Sequence, residues 1–409
     1  MAPSCWGVMR AGPGPYSPRT SPTGRITTPR GTPMTISRLT RSAMAGVLML
    51  SLAHAQATSY TVTALGTLGG DYSAAASIND HGVITGQSSL AGNVQHRAFI
   101  YQNGTMTDLG LPGDNSRGNA INNLNQIVGT TFVPGGSPFQ PRGFLYSQGT
   151  VTDLGTLGGA STYANGINHA AQVVGTSDPG DAVGTAFIYQ HGSMVAIPAG
   201  NGSTSSEASA INDHGAVTGR GSTETSLTPF VYDNGILTIL RDAQGQVPLG
   251  AGADINNAGV VTGSARFAGS TRTSAFLYEN GVVRSIGSLG GNWSSGASLN
   301  ERGEVVGAST LADGSIHNAF FYSHATGMLN LNDLIDAGSG WVLSDATSIN
   351  EAGQIVGSGL YNGVQRAYLL SPVPEPASLA LACVGAWMAW TRARRAKGPI
   401  AEPLCPSSQ

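Results

Sequence analysis

The chain has 409 residues, 58 of them Gly, with 11% charged residues, one Lys (Lys397) and a formal net charge of −3. Gly without a three-residue period excludes collagen. The scarcity of Glu, Lys and Arg excludes a long-helix protein, and 40% hydrophobic content at low net charge excludes a disordered one.

What remains is a Gly-punctuated, repetitive all-β protein. Its first 57 residues contain no acid. Arg38 and Arg41 precede an apolar stretch from Ala43 to Leu52, and Ala53, Ala55 and Ala57 set small residues at −3 and −1 of two cuts, after Ala55 or after Ala57. A basic region, an apolar region and a small-residue cleavage site in that order form a secretory signal. The signal reads best with translation starting at Met34, so that residues 34–57 are the signal peptide and 1–33 an upstream extension absent from the mature protein. The alternative is an Arg-rich, acid-poor targeting leader.

Residues 58–371 write one unit seven times. Its anchor is Ile-Asn at 78–79, 121–122, 167–168, 211–212, 255–256 and 349–350, with Leu299-Asn300 as the variant. Successive spacings are 43, 46, 44, 44, 44 and 50. Eight residues past each anchor stands a Gly: Gly86, Gly129, Gly175, Gly219, Gly263, Gly307 and Gly357. Further on comes an aromatic: Phe99, Phe144, Phe187, Phe230, Phe276, Phe320 and Tyr368.

Each unit parses into four short strands. Strand a is small and apolar (Ala74 to Ile78), and Asn79-Asp80-His81-Gly82 is a turn. Strand b runs from Val83 to Gly86. Strand c, Ala98 to Tyr101, puts Phe and Tyr on one face at period two. Asn103-Gly104 is a hairpin signal, and strand d is Thr105 to Leu109. Four antiparallel strands every 40–45 residues is the pattern of a β-propeller blade. The last unit has no strand d, while Tyr60 to Gly70 nearly repeats the strand d of Thr150 to Gly159. The expectation is therefore an all-β, seven-bladed β-propeller, closed by the N-terminal strand pairing into the last blade. An open β-solenoid is the rival architecture. Small residues before each anchor fit a narrow central channel, and the insertion from Asn330 to Val342 predicts a longer surface loop.

Residues 372–409 form a tail of three parts: Val373-Pro374-Glu375-Pro376, an apolar segment from Ala377 to Trp390, and the bases Arg392, Arg394 and Arg395. The apolar segment is shorter than the roughly 20 residues that span a bilayer, but the basic cluster after it is the flank of a membrane segment. This tail resembles the PEP-CTERM sorting signal of Gram-negative bacteria. The resemblance implies an exosortase-type enzyme as partner, processing at the cell envelope, and membrane contact only through this segment. A plain C-terminal membrane tail is the alternative. Cys5, Cys383 and Cys405 all lie outside 58–371, so the body has no disulfide and no thiolate site.

The Leu-Gly-Thr-Leu-Gly-Gly stretches at 65–70 and 154–159, the Ile-Asn turns and the Ala-Phe-x-Tyr strands resemble the HAF-repeat extracellular proteins over about residues 60–370. That resemblance implies a propeller-like fold and an extracellular or envelope location, with no activity attached.

Candidate chemistry is sparse, and no residue is expected to be catalytic, cofactor-binding or metal-ligating. Asp80, Asp213, Glu301 and Glu351 share one turn position, held elsewhere by Asn123, His169 and Asn257. They read either as a ring of Ca²⁺ ligands or as side chains bonding their own turn backbone, and the second fits a position that also accepts His. His81, His169 and His214 read as surface residues, and Asp108 and Asp153 as solvated edge charges or groove residues. Trp293, in a loop between blades, and Trp341 could stack on sugars or pack the core. The body carries ten Arg against 21 acids, a formal −11, which makes nucleic acid a poor partner. Three functions follow. The first is a non-enzymatic binding or matrix protein with exopolysaccharide as its partner. The second is a polysaccharide hydrolase or lyase using acids such as Asp114, Asp254 and Asp345. The third is a purely structural surface protein.

Overall fold

The computed structural model describes residues 59–132, 140–180, 184–200, 202–223, 225–314 and 317–374. The signal and cleavage residues Ala53, Ala55 and Ala57, and the tail residues Glu375, Pro376, Arg392, Arg394 and Arg395, lie outside them. Among the described residues no helix is long and apolar enough to cross a membrane.

The described body is all-β, with 28 strands and one short 3₁₀ helix, Leu331–Leu334. Each repeat forms an antiparallel four-stranded set in the order a-b-c-d, as in Gly69–Ile78, Ile84–Leu90, His96–Gln102 and Thr105–Asp108. Five sets stand as separate sheets, and a single parallel bridge from Thr273 to Trp293 joins the fifth and sixth into one eight-stranded sheet. In the last set Tyr60–Ala64 takes the place of strand d. It pairs antiparallel with Val364–Pro372, from Tyr60 opposite Pro372 to Ala64 opposite Tyr368.

In unit 1 strands a and b run longer than the sequence reading, Gly69–Ile78 and Ile84–Leu90, with an irregular register between Gly69 and Ser73. The Asn-Gly hairpins form as read, with Asn103, Asn234 and Asn280 at positive φ. Two expectations are corrected. Trp293 lies within strand a of unit 6, Gly290–Leu299, and not in a loop. The insertion after Asn330 is not a surface loop: Asn330 caps the 3₁₀ turn, and Leu331 and Trp341 are buried with Tyr60, Leu343 and Tyr368. Burial of two large apolar side chains holds the longer connection against the core.

Apolar packing lies between units. Seven core clusters each combine residues of two consecutive units, and one of them sets Val356 and Ala367 of unit 7 against Ala75, Ile84 and Phe99 of unit 1. Six of them hold a strand-c aromatic, and all seven of these aromatics, Phe230 included, are fully buried.

The Gly eight residues past each anchor has a steric cause. Strand a bulges just before its anchor, between Ala208 and Ala210 in unit 4 for example. The bulge drives a backbone carbonyl toward strand b. A Cβ on Gly219 would overlap the carbonyl oxygen of Glu207, and every equivalent Gly meets its own strand-a carbonyl in the same way. Tyr368 is the exception among the aromatics, because its hydroxyl donates to that carbonyl, Asp345 O, at 2.8 Å.

A second rule pairs neighbours. The residue seven past the anchor is Thr or Val, and it faces the residue three before the next unit's anchor. A Cβ on Gly118, Gly252 or Gly296 would overlap the hydroxyl of Thr85, Thr218 or Thr262 in the preceding unit. Each of those Thr hydroxyls donates to a strand-c carbonyl, Phe99, Phe230 or Phe276 O, at 2.8 to 2.9 Å. Where the first residue is Val, the second is Ala: Val128 with Ala164, Val174 with Ala208, Val306 with Ala346, and Val356 with Ala75, each pair within one cluster. All seven interfaces follow the rule, including the one that joins the last unit to the first.

Candidate functional site

Strand a of every unit ends at its anchor, so the seven anchors come together around one centre. The anchor Asn organises this end. Asn79 is buried, and its Oδ1 accepts from His81 N and Val83 N at 3.0 Å, which closes the turn. Its Nδ2 donates to Asn122 O of the next unit at 3.0 Å. The same link joins Asn122 to Asn168, Asn168 to Asn212, Asn212 to Asn256, Asn256 to Asn300, and Asn350 back to Asn79. Asn300 Nδ2 donates to Glu304 Oε2 at 2.6 Å. Replacing Asn79 with Ala strands the His81 and Val83 N–H groups and removes the link to Asn122 O, which keeps its bond from Asn125 N, and should cost about 2–3 kcal/mol. Urea unfolding reads this directly, and a loss below about 1 kcal/mol would show that water replaces the bonds.

The residues one past the anchor form a second latch, which corrects the turn reading. Their side chains bond the neighbouring unit's backbone. Asp80 Oδ1 accepts from Glu351 N at 3.0 Å, Asp213 Oδ1 from His169 N at 2.8 Å, and Glu351 Oε1 from Glu301 N at 2.8 Å. Asn123, Asn257 and Glu301 accept likewise. Asn, Asp and Glu all present the acceptor oxygen this latch needs, which is why the position tolerates them alike. His81, His169 and His214 are exposed, as expected. Among the described residues no three His, Cys, Asp or Glu side chains group as a metal-ligand set.

Two cavities lie at this centre. The outer one, about 190 Å³, is lined by the anchors and by Asp80, Asp213, Glu301 and Glu351. The inner one, about 270 Å³, is lined by the small residues of strand a from all seven units. Five anchor aliphatics, Ile78, Ile121, Ile167, Ile211 and Ile349, are shared between the two linings and are at most 9% exposed, so they narrow the passage. Asp254 projects into the inner cavity, and burial pushes its carboxyl above the usual carboxylate range. Its Oδ1 accepts from Ile255 N at 2.9 Å and its Oδ2 from Leu299 N at 3.0 Å.

The three acids offered as a hydrolytic cluster are not brought together. Asp254 lines the inner cavity, and neither of the others does. Asp114 is exposed. Asp345 is half-buried on strand a of unit 7, its carboxyl raised by burial and lowered by nearby His317. Asp108 and Asp153 are edge charges with partners. Asp108 pairs with Arg97 at 3.3 Å and Asp153 with Arg142 at 3.0 Å, and each caps a following Gly N–H.

The start of strand a, at the far end from the anchors, carries a feature that sequence reading missed. Tyr72 meets His96 edge-on with centroids 5.2 Å apart, and at the equivalent place in unit 6 Trp293 stacks on His317 at 4.4 Å and 13°. Both pairs join a strand-a aromatic to the first residue of strand c, and Trp293 is half-buried while His317 is exposed. The shared Leu-Gly-Gly-x-aromatic-Ser pattern at 68–73 and 289–294, followed by His three before the strand-c Phe, was the available signal. Trp341 instead packs inside, against Tyr361 and Tyr368.

No protein-family model and no curated protein matches the chain. Among solved structures it is similar to TolB from Acinetobacter baumannii, at 13% identity and a TM-score of 0.41, over 60% of this chain and 63% of that one. It is similar to a gluconolactonase from Xanthomonas campestris at 12% identity and 0.37, over 61% and 83%. It is also similar to Trypanosoma rangeli sialidase at 10% identity and 0.34, over 85% and 60%. The matched part spans less than two thirds of the length of TolB and of the sialidase.

Proposed function

We propose that the chain is an exported seven-bladed β-propeller, closed by Tyr60–Ala64 in its last blade, that acts without catalysis as a binding or matrix protein for envelope polysaccharide. The observation that carries the binding reading is the repeated aromatic–imidazole pair at the starts of strand a, Tyr72 with His96 and Trp293 with His317. A half-exposed aromatic ring beside a hydrogen-bonding imidazole suits a sugar, whose apolar face stacks while its hydroxyls bond. The contacts that join unit 7 to unit 1 support closure. The HAF-like repeats and the PEP-CTERM-like tail support export and sorting by an exosortase-type enzyme, with the membrane touched only through that tail. An acidic body argues against nucleic acid.

The test is retention on immobilised exopolysaccharide. Trp293→Ala combined with Tyr72→Ala should weaken retention about tenfold, or ~1.4 kcal/mol, with the unfolding midpoint little changed. Equal retention by the double variant, or no retention by the wild type, rejects the reading. N-terminal sequencing of the exported form decides between cleavage after Ala55 and after Ala57.

A further inference from the structure

One side chain lining the inner cavity is ionisable, and it is the half-buried Asp254. Its position, one before the anchor, holds Ser77, Ala120, Gly166, Ala210, Ser298 and Ser348 in the other units. Ser348 shows what a side chain does there: its Oγ accepts the N–H of Ile78, the next unit's anchor, at 3.3 Å. Asp254 Oδ2 makes the same bond to Leu299 N at 3.0 Å. A neutral hydroxyl therefore suffices for this contact, and three units do without any polar side chain. The carboxylate of Asp254 is surplus to assembly, yet holding an anion at a partly buried position is unfavourable.

No Lys, Arg or His lines the cavity to balance that charge. Burial raises the Asp254 carboxyl against the opposing pull of two backbone N–H groups and the Ser298 hydroxyl, and none of these partners brings a positive charge. The rest of the lining is uncharged and rich in oxygen. Asn119 and Asn165 commit their Nδ2 groups to Ala164 O at 2.7 Å and Ala208 O at 2.9 Å, which leaves their amide oxygens as acceptors. The outer cavity adds four acids on the same passage, and their field favours cations within.

We propose that the inner cavity is a cation site in which the Asp254 carboxylate is the one anionic ligand and neutral oxygens such as those of Asn119 and Asn165 complete the shell. A hard ion of the Ca²⁺ class fits a site whose available donors are the oxygens of Asp254, Ser, Thr and Asn side chains. At about 30 Å³ per water, a cavity of about 270 Å³ has room for the ion with much of its hydration. One carboxylate places the site at the weak end of calcium affinities, about 10⁻⁴–10⁻³ M. The inference does not depend on export or on glycan binding.

The test is titration of the full chain with CaCl₂, and separately with NaCl and KCl at matched ionic strength. Calorimetry and the thermal midpoint are both read. Wild type should bind calcium and its midpoint should rise with calcium concentration. Asp254→Ser keeps the contact that Ser348 illustrates; it should fold, lose at least tenfold in calcium affinity, and no longer respond. Asp254→Asn, which keeps the shape and the acceptor oxygen, serves as the second variant and should behave alike. An equal calcium response in wild type and a folded variant overturns the proposal. So does a wild-type response to NaCl or KCl that matches the one to CaCl₂.

Discussion

Deleting residues 59–64 should lower stability by at least about 5 kcal/mol and make the folded body prone to aggregate. Tyr60 is 6% exposed in the cluster that holds Leu343, Tyr368 and Leu370, and loss of a buried aromatic alone costs about 3–5 kcal/mol. The ladder from Tyr60–Pro372 to Ala64–Tyr368 goes with it, at about 1 kcal/mol for each bond lost. The strand Val364–Pro372 then becomes an open edge beside apolar side chains, which is a template for pairing with another copy. For a body of this size the midpoint should fall by about 10 °C, with light scattering rising on heating. A circular permutant separates the strand from its place in the sequence. Val373 N already donates to Ser59 O at 2.9 Å, so residue 373 can be joined to residue 59 by a short turn and new termini opened at Gly66. This permutant should keep the wild-type midpoint within a few degrees. A deletion variant as stable as the wild type, or a permutant that fails to fold, would count against the strand's role in closing the structure.

Gly219→Ala should cost about 3 kcal/mol or more, because the added methyl overlaps a backbone carbonyl rather than a side chain that can turn away. Relief requires moving Glu207 O, and with it the bulge that sets Ala210 and Ile211 at the centre. Gly235→Ala is the control. Gly235 has φ +83° and open space around it, so a methyl there meets only the left-handed backbone preference, about 1–2 kcal/mol. Urea denaturation of the two variants should rank them in that order. Equal losses would mean that strand a relaxes freely and that the recurring Gly is a turn residue displaced into a strand.

The sequence shows the repeat, the four strands of each unit and the displaced strand, because these are local patterns of turn residues and period-two aromatics. It also shows that Gly219 and its equivalents matter, but not why, since the cause is a carbonyl brought close by a bulge on another strand. The role of the residue after the anchor Asn was misread for a related reason: Asp80 or Glu351 beside a turn looks like turn chemistry, and its real partner is some 270 residues away. Gly290-Gly291-Asn292 looks like a loop that would hold Trp293, although a strand start paired with unit 6 strand b accommodates it. The insertion from Asn330 to Val342 reads as a surface loop because added residues usually add surface, although Leu331 and Trp341 carry it into the core. The pairing of Thr with Gly and of Val with Ala was present in the aligned repeats, but it becomes visible only when each unit is compared with its successor instead of with itself.

That pairing makes the chain a sentence with a grammar. Each unit has an entry letter, three before its anchor, and an exit letter, seven past it. Units 3 and 7 enter with Ala and exit with Val, and unit 5 enters with Gly and exits with Thr. Any of these three can be copied or cut out whole and every junction still reads correctly. Copying or removing unit 1, 2, 4 or 6 leaves one junction in which Thr meets Ala or Val meets Gly. The number of units in such a protein can thus grow or shrink by gene duplication and loss only along certain words.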